Sequence, residues 1–302
     1  MILTLAIIMA AALFAAVALV SGNNLSACVG TAVGAGIFSR RAGIALGASG
    51  YIAGLLLQGN SMIYAAHKLL PSSSALLVTE ALSVTVAVFI IGHLMKVPLS
   101  LTMSLVGLIT GISVAHHLPI DGAYFSEVAA MWIIAPVLAA FSSYIFTRIL
   151  NNSPSSDIWR RVSIFKMLLL AMSFLAAYVL GANTVALMVS VAGFNTIDVV
   201  VATLAIIAGC SLLSSRELKM VGHDLFSLRY SNALVTLANS VMLVEIATIF
   251  GIPLSNTQTL SAGVFGSGLS YRQRYISVKP FAIIVLGWLL APATSFLVGY
   301  ML

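Results

Sequence analysis

Two segments of the chain repeat the same order of proline, serine and threonine about 155 residues apart, both in apolar surroundings. Residues 97–102 read VPLSLT, and residues 252–257 read IPLSNT. Proline suits the first turn of a helix because its missing N–H is not needed there, and the free N–H groups behind it form a partly positive end. Serine and threonine hydroxyls lie beside these groups, so an oxyanion would find several donors together. The two motifs therefore predict an oxyanion site.

Each motif has an alternative interpretation as a capped membrane helix whose hydroxyls bond back to the preceding turn. A single copy would favour this alternative, whereas the second copy favours the anion site. The predicted donors are Ser100, Thr102, Ser255, Asn256, Thr257 and Gln258.

Two further polar segments interrupt apolar sequence in the same relative positions. Residues 22–24 read GNN, and residues 181–184 read GANT. Asparagine both donates and accepts hydrogen bonds, and in lipid it needs a partner. A role at the anion site and structural hydrogen bonds between helices both explain these segments. The substrate-binding candidates from these segments are Asn23, Asn24, Asn183 and Thr184.

An ionisable side chain within an apolar segment is a functional candidate in a membrane protein. Glu245 lies eight residues before Pro253, about two helical turns from the second motif. We predict Glu245 as the site of a coupling proton or cation; a hydrogen bond between helices is the competing explanation. Cys28 and Cys210 have no metal-ligand spacing, so neither a metal site nor another cofactor is expected.

The composition identifies the environment in which these residues lie. Hydrophobic residues make up 61% of the 302-residue chain and charged residues 7%, against about 25% charged residues in typical soluble domains. The net charge of +6 comes from basic residues between apolar segments, where they orient a membrane protein and do not indicate a nucleic-acid partner. The apolar segments cover residues 2–20, 24–38, 42–58, 76–95, 99–115, 126–149, 162–180, 183–197, 199–213, 230–250, 254–270 and 280–300.

The chain divides into two transmembrane repeats, residues 1–150 and 162–302, joined by a cytoplasmic linker at 151–161. Equivalent loops of the two repeats carry different charge. Residues 116–125 contain no Lys or Arg, whereas the matching loop at 271–279 contains three. Because Lys and Arg favour the cytoplasmic side, equivalent loops lie on opposite sides and the repeats are inverted.

Inversion requires an odd number of crossings in each half, yet each half has six apolar segments. One segment of each half must therefore enter and leave the membrane on the same side. The short segments 24–38 and 183–197 are the predicted re-entrant pair, because each begins near Gly and Asn. The two Pro-Leu-Ser motifs would then start near opposite surfaces, so a neighbouring segment must dip inward to bring them together.

Residues 21–36, SGNNLSACVGTAVGAG, resemble the signature GANDVANAFGTAVGSG of the inorganic phosphate transporter (PiT) family without a gap. Residues 181–189 resemble the same signature more loosely, and both Pro-Leu-Ser motifs resemble that family's PVSTTH. This resemblance covers nearly the whole chain. It implies a multi-pass permease of the cytoplasmic membrane, built from inverted repeats, which moves phosphate or a related oxyanion with a cation gradient.

The chain departs from the family pattern at the acidic positions. The signature aspartate falls on Asn24 in the first copy and on Thr184 in the second, and the motif histidine falls on Met103 and Gln258. A carboxylate can accept a hydrogen bond from protonated phosphate, but it would repel fully deprotonated sulfate in a low-dielectric site. The resemblance favours phosphate, while these substitutions favour sulfate.

These observations predict an all-α integral membrane protein with two inverted-topology repeats and broken or re-entrant segments. The predicted function is secondary-active, cation-coupled transport of an inorganic oxyanion, with proton-coupled sulfate transport as the alternative. From other classes, an anion channel would need a continuous polar pore, and a membrane enzyme would need a nucleophile or metal cluster. The expected partners are the anion and the lipid bilayer, with a homodimer left open.

Overall fold

The computed structural model describes residues 2–72, 74–94, 100–152, 158–213, 230–270 and 278–302. Within these ranges the chain is helical and contains no strand. The first half contains α1 (Ile2–Gly34), α2 (Arg40–Gln58), α3 (Ser61–Leu69), α4 (Ala75–Leu94), α5 (Leu101–Ala115) and α6 (Gly122–Asn152). The second contains α7 (Ile158–Leu180), a π-helical turn (Gly181–Val185), α8 (Ala186–Ala192), α9 (Thr196–Ala208), a second π-helical turn (Gly209–Leu213), α10 (Tyr230–Ile249), α11 (Asn256–Leu269) and α12 (Val278–Met301).

Several of these helices are suited to cross a membrane. Among the described residues, six helical segments are long and apolar enough to span it, and the α2–α3 pair, bent by 76°, is a broken seventh candidate. Large apolar side chains such as Leu57, Ile133 and Phe141 are exposed on the outside of the bundle. Such a surface is stable against lipid and costly in water. The chain is therefore an all-α integral membrane protein.

The prediction that segments 24–38 and 183–197 are re-entrant is wrong. The first is part of α1, which runs unbroken for 33 residues through Asn23 and Asn24. The second continues α7 through the π-helical turn into α8, and the two form one 34-residue candidate span. An asparagine inside a helix costs at most about 0.7 kcal/mol relative to alanine. That cost is small beside the packing of a long buried helix, so the polar residues do not end it.

The re-entrant element of the second half is instead the hairpin formed by α10 and α11. Ser231, near the start of α10, donates to Asn151 at 3.4 Å, while Ser267, near the end of α11, hydrogen-bonds to Thr147 at 3.0 Å. Both open ends of this hairpin therefore lie at the C-terminal end of α6. The chain reverses at Gly251, whose φ of +66° is a conformation that favours glycine. Helices α4 and α5 are the equivalent pair, and residues 95–99 between them lie outside the described residues.

Each half has a glycine that lies close to the backbone of the long helix in the other half. A Cβ added to Gly54 of α2 would lie 1.9 Å from the carbonyl oxygen of Tyr178, and one added to the equivalent Gly209 would lie 2.2 Å from that of Ala18. Ala18 and Tyr178 are themselves equivalent, because each precedes the first asparagine of its signature copy by five residues. Each half thus presents the same glycine surface to the long helix of the other half.

A second reciprocal pair joins the hairpins to the final helix of each half. A Cβ on Gly111 of α5 would lie 2.2 Å from the carbonyl oxygen of Phe296, and one on Gly266 of α11 would lie 1.9 Å from that of Ala140. Helix α5 packs along α12, and α11 packs along α6. These exchanged contacts are those expected of a duplicated, intertwined unit.

The directions of α5 and α11 show that the repeat is inverted. Both helices begin at the centre, where Ser100 and Ser255 are in contact. Helix α5 then runs toward the residues that lead into the start of α6, whereas α11 runs toward the C-terminal end of α6. Two equivalent helices thus leave a common centre, marked by the contact between Ser100 and Ser255, in opposite directions. The repeat boundaries 1–150 and 162–302 remain proposals, and linker residues 153–157 lie outside the described residues.

Candidate functional site

A small cavity lies where the N-terminal ends of α5 and α11 meet the middle of α1 and the π-helical turn after α7. Eight of its twelve lining residues are polar, and the described lining contains no Lys, Arg, Asp or Glu. The polar lining residues are Asn23, Asn24, Ser100, Thr102, Thr184, Ser255, Asn256 and Thr257. The remaining four, Val20, Phe89, Leu101 and Leu180, form apolar walls that the sequence analysis did not select.

Two helix N-termini face this cavity from opposite sides. Ser100 caps α5, and its Oγ accepts a hydrogen bond from the Met103 backbone N–H at 3.4 Å. Ser255 occupies the equivalent position before α11, and the Ser100 hydroxyl donates to it at 2.8 Å. The first N–H groups of a helix have no intrahelical acceptor and carry its partial positive charge. The cavity is therefore electrostatically suited to an anion without a charged side chain.

Hydroxyl groups on both sides of the cavity bond to one another. Ser255 shares a hydrogen bond with Thr257 at 2.9 Å, and Thr102 shares one with Thr184 at 3.2 Å. A hydroxyl hydrogen rotates about the C–O bond, so each group can redirect its donor toward a ligand. An entering oxyanion would replace these mutual bonds with charge-assisted ones, which are stronger.

Asn256 has a donor that its protein contacts do not use. Its Oδ1 accepts from Ser240 at 2.7 Å, which fixes the amide, and its Nδ2 has no hydrogen-bond partner among the described residues. The side chain is only 2% exposed. A buried amide without an acceptor is costly, so this N–H₂ group is a strong candidate to bind an anion in the cavity. Ser240 was missed in the sequence analysis, although polar residues recur along its helix.

Asn24 and Thr184 both line the cavity. These are the positions that correspond to the two signature aspartates of the resembled family. Asn23 and Asn24 are half-buried on α1, and Thr184 is fully buried in the π-helical turn. The cavity thus has neutral groups at both positions where the family signature has carboxylates.

Asn183 does not line the cavity but holds the second hairpin tip. Its Nδ2 donates to the Thr248 hydroxyl and to the Ile252 carbonyl oxygen, each at 3.0 Å. Its Oδ1 accepts from the Leu254 N–H at 3.1 Å. Residue 183 is fully buried. These bonds connect the middle of the α7–α8 span to the chain reversal that precedes Ser255, so Asn183 positions the tip.

Gln258 also lies outside the cavity. Its Nε2 donates to the Trp132 carbonyl oxygen at 2.8 Å, and the Trp132 Nε1 donates to the Pro253 carbonyl oxygen at 3.0 Å. This reciprocal pair of hydrogen bonds holds the tip of the α10–α11 hairpin against α6. The indole N–H of Trp132 thus helps to hold the hairpin against α6.

Glu245 lies on α10 at the bend between α2 and α3, apart from the cavity lining. Its Oε1 accepts from the Nε2 of Gln58 at 2.7 Å, and its Oε2 is buried with no partner among the described residues. Gln58 was not predicted, because its partner is 187 residues away in sequence. By contrast, Asp198 forms a capping box with Asn195 at the start of α9, which explains that carboxylate structurally.

Comparisons with known proteins agree with this architecture. A model of the phosphate transporter family matches residues 20–162 and again 154–299. A Methanocaldococcus jannaschii protein named as a phosphate permease is 22% identical over 94% of this chain and 92% of its own length. The sulfate permease of Bacillus subtilis is 24% identical over 94% of this chain and 83% of its own. A solved structure of a sodium-dependent phosphate transporter has a TM-score of 0.83 at 18% identity and covers 99% of this chain and 98% of that one.

Proposed function

Because the chain belongs to the phosphate transporter family, we propose that it is a secondary-active permease for a tetrahedral inorganic oxyanion, with phosphate favoured by family membership. The observation that carries this proposal is the meeting of two helix N-termini, Ser100 and Ser255, around a cavity of neutral donors. The proposed ligands are the eight polar lining residues, with Asn183 and Gln258 in positioning roles. One bundle would rock against the other about this central site and expose it to each side in turn.

Sulfate is the second candidate substrate. The described lining contains no carboxylate, so a fully deprotonated anion would meet no unfavourable charge there. Neutral side-chain oxygens could still accept the proton of phosphate, so the lining permits both anions. One relative of similar identity is named as a sulfate permease. The relatives are permeases and transporters, which supports a transport function over an enzymatic one.

Glu245 is the proposed coupling-ion residue, because one of its buried oxygens lacks a protein partner. A proton or a sodium ion would satisfy that oxygen. Glu245→Gln should abolish the proton or sodium dependence of uptake while the hydrogen bond with Gln58 remains available. If uptake by Glu245→Gln depends on the proton and sodium gradients in the same way as uptake by the unmodified chain, Glu245 does not have this role.

The proposed function is tested by uptake of radiolabelled phosphate and sulfate into proteoliposomes, with sodium and proton gradients imposed separately. Gradient-driven phosphate uptake would support the family substrate at a site without acidic residues. Sulfate uptake with phosphate excluded would select the second candidate. Uptake that continues at channel-like rates without any gradient would contradict a coupled permease. Residence in the cell membrane and a homodimeric state remain proposals.

A further inference from the structure

Buried polar side chains extend beyond the cavity along one face of α10. They lie at positions 231 and 232, then 236, then 239 and 240, and steps of three to four residues place such groups on one side of a helix. Each of these side chains is at most 7% exposed, although the sequence around them is mainly apolar. We name this row, together with the serine it faces on α6, the polar lane: Ser231, Asn232, Thr236, Asn239, Ser240 and Ser143.

The inner end of the polar lane is joined to the cavity. Ser240 donates to the Asn256 Oδ1 at 2.7 Å and shares a hydrogen bond with Thr259 at 2.6 Å. Asn239 directly precedes Ser240 on α10, and its Nδ2 donates to the Ser143 Oγ at 2.9 Å. Polar groups therefore continue from the anion donors into the space between α6, α10 and α11.

The three helices come close together at Gly263 of α11, midway along the polar lane. A Cβ added there would lie 3.1 Å from the Ser143 Oγ and 3.6 Å from the Thr236 Cβ. Helix α11 thus contributes no side chain at this level, and the Ser143 hydroxyl of α6 and the Thr236 Cβ of α10 border the seam. Beyond it, Ser231 donates to Asn151 at the C-terminal end of α6. From Ser240 to Ser231 the lane covers about 14 Å of helix.

The inverted repeat provides an internal comparison for the polar lane. At the equivalent positions of α4, about 155 residues earlier, the first four lane residues of α10 are replaced by Leu76, Leu77, Ala81 and Val84. The first hairpin therefore packs these four positions with apolar side chains, whereas Thr85, the equivalent of Ser240, is also a buried hydroxyl. Buried polar groups cost free energy relative to apolar groups of similar shape. Polar residues at these four positions of one hairpin alone indicate a role that packing does not explain.

The outer end of the lane lies among basic residues. Arg148 follows Ser143 on α6 and donates to the Tyr144 hydroxyl at 3.0 Å, and Arg161 of α7 donates to the Leu150 carbonyl oxygen. Arg160 directly precedes Arg161 in sequence. Positive charge at the mouth of a polar path raises the local concentration of anions. The same arginines place this end on the cytoplasmic side of the membrane.

We propose that the polar lane is the route by which the anion passes between the central cavity and the membrane side where Arg148 and Arg161 lie. This inference rests on the proposed permease function. In the structure the lane is closed, since its groups bond to one another between α6, α10 and α11. When the α10–α11 hairpin moves away from α6, water enters and the same groups solvate the passing anion.

Thiol accessibility tests this route without reference to the substrate. Thr236→Cys is compared with Ala81→Cys, its equivalent in the first hairpin, in proteoliposomes treated with a membrane-impermeant, negatively charged methanethiosulfonate. The unmodified chain, whose Cys28 and Cys210 are buried, sets the background. We expect Thr236→Cys to react from the Arg148 side at least about tenfold faster than Ala81→Cys, because only the lane fills with water. Equal rates, or no reaction of Thr236→Cys, would overturn the route.

Uptake by a matched pair of threonine variants provides the second test. Thr236 and Thr110 are both buried and both donate to the carbonyl oxygen four residues earlier, at 2.9 and 2.7 Å. Thr236→Val should lower uptake about tenfold, because an apolar group then borders the anion's path, whereas Thr110→Val should not. Equal uptake by both variants would count against the lane. Reaction of Thr236→Cys without uptake of phosphate or sulfate would overturn the proposed substrates while supporting the lane as a water-filled route.

Discussion

At the scale of single residues, the cavity offers an anion hydroxyls, amides and backbone N–H groups, and its described lining has no fully charged side chain. Neutral donors lose less hydration free energy on burial than a lysine or arginine would. They also release the anion more readily than a buried ion pair does. Modest affinity is the expected consequence, and it suits a transporter that must bind on one side and release on the other.

The hydroxyl pair at the hairpin tips provides the first prediction. Ser100→Ala and Ser255→Ala should each lower uptake efficiency roughly 10- to 100-fold, because a hydrogen bond to a charged group contributes about 1.5–3 kcal/mol. Ser142→Ala is the control, since that hydroxyl donates only to the Leu138 and Ala139 carbonyl oxygens of its own helix. Uptake is measured beside the melting temperature in detergent. Unchanged uptake in both site variants would remove these hydroxyls from the site.

The neutral residue at the first signature position provides the second prediction. Asn24→Asp places a carboxylate in the cavity and should lower sulfate uptake much more than phosphate uptake, because protonated phosphate can donate to it. Asn60→Asp adds the same charge at an exposed position and should leave the ratio of the two uptake rates unchanged. A similar ratio in Asn24→Asp and the unmodified chain would contradict the proposed basis of selectivity.

At the scale of elements, glycine surfaces set how closely the helices of one half approach those of the other. Gly54 lies against the backbone of α7, and Gly209 lies against that of α1. Backbone atoms cannot move aside as a flexible side chain does, so an added methyl group must push the helices apart. Helix association in the membrane depends on this close packing because lipid supplies no hydrophobic driving force between apolar helices.

This dependence predicts that Gly54→Ala destabilises the folded protein. Overpacking of a tight contact costs about 1–3 kcal/mol, so the melting temperature in detergent should fall measurably. Gly122→Ala is the matched control, since a Cβ there would have no neighbour within 4 Å. Equal melting temperatures for the two variants would show that the α2–α7 contact relaxes without cost.

At the scale of the whole molecule, two equivalent hairpins meet at one centre but have different surroundings. The α10–α11 hairpin contacts α6 through buried polar side chains, whereas the α4 positions equivalent to the polar lane are mainly apolar. When two polar surfaces separate, their side chains replace hydrogen bonds within the protein by hydrogen bonds to water at little cost in free energy. Two apolar surfaces have no such replacement, so exposing them to water is unfavourable. We expect the second hairpin to separate from α6 during transport.

A reversible cross-link tests this expectation. The Thr147 and Ser267 hydroxyls are 3.0 Å apart between α6 and α11. A disulfide in the double variant Thr147→Cys/Ser267→Cys should block uptake, because the hairpin can no longer leave α6, and a reductant should restore it. Each single-cysteine variant should be insensitive to oxidation. Full uptake with the disulfide formed would place the moving contact elsewhere in the molecule.

The amino-acid sequence by itself determined that the chain is an integral membrane protein and that it is duplicated and inverted. It also predicted ten polar site residues, of which eight line the cavity. These conclusions rest on composition, loop charge and repeated motifs, all of which are read along the chain. Only the tertiary structure decided that α1 is continuous and that the α10–α11 hairpin is re-entrant. It also decided that Asn183 and Gln258 hold a hairpin tip outside the cavity, and that Glu245 pairs with Gln58. The direction of a side chain depends on the rotation of its helix and on partners distant in sequence, which local patterns do not encode.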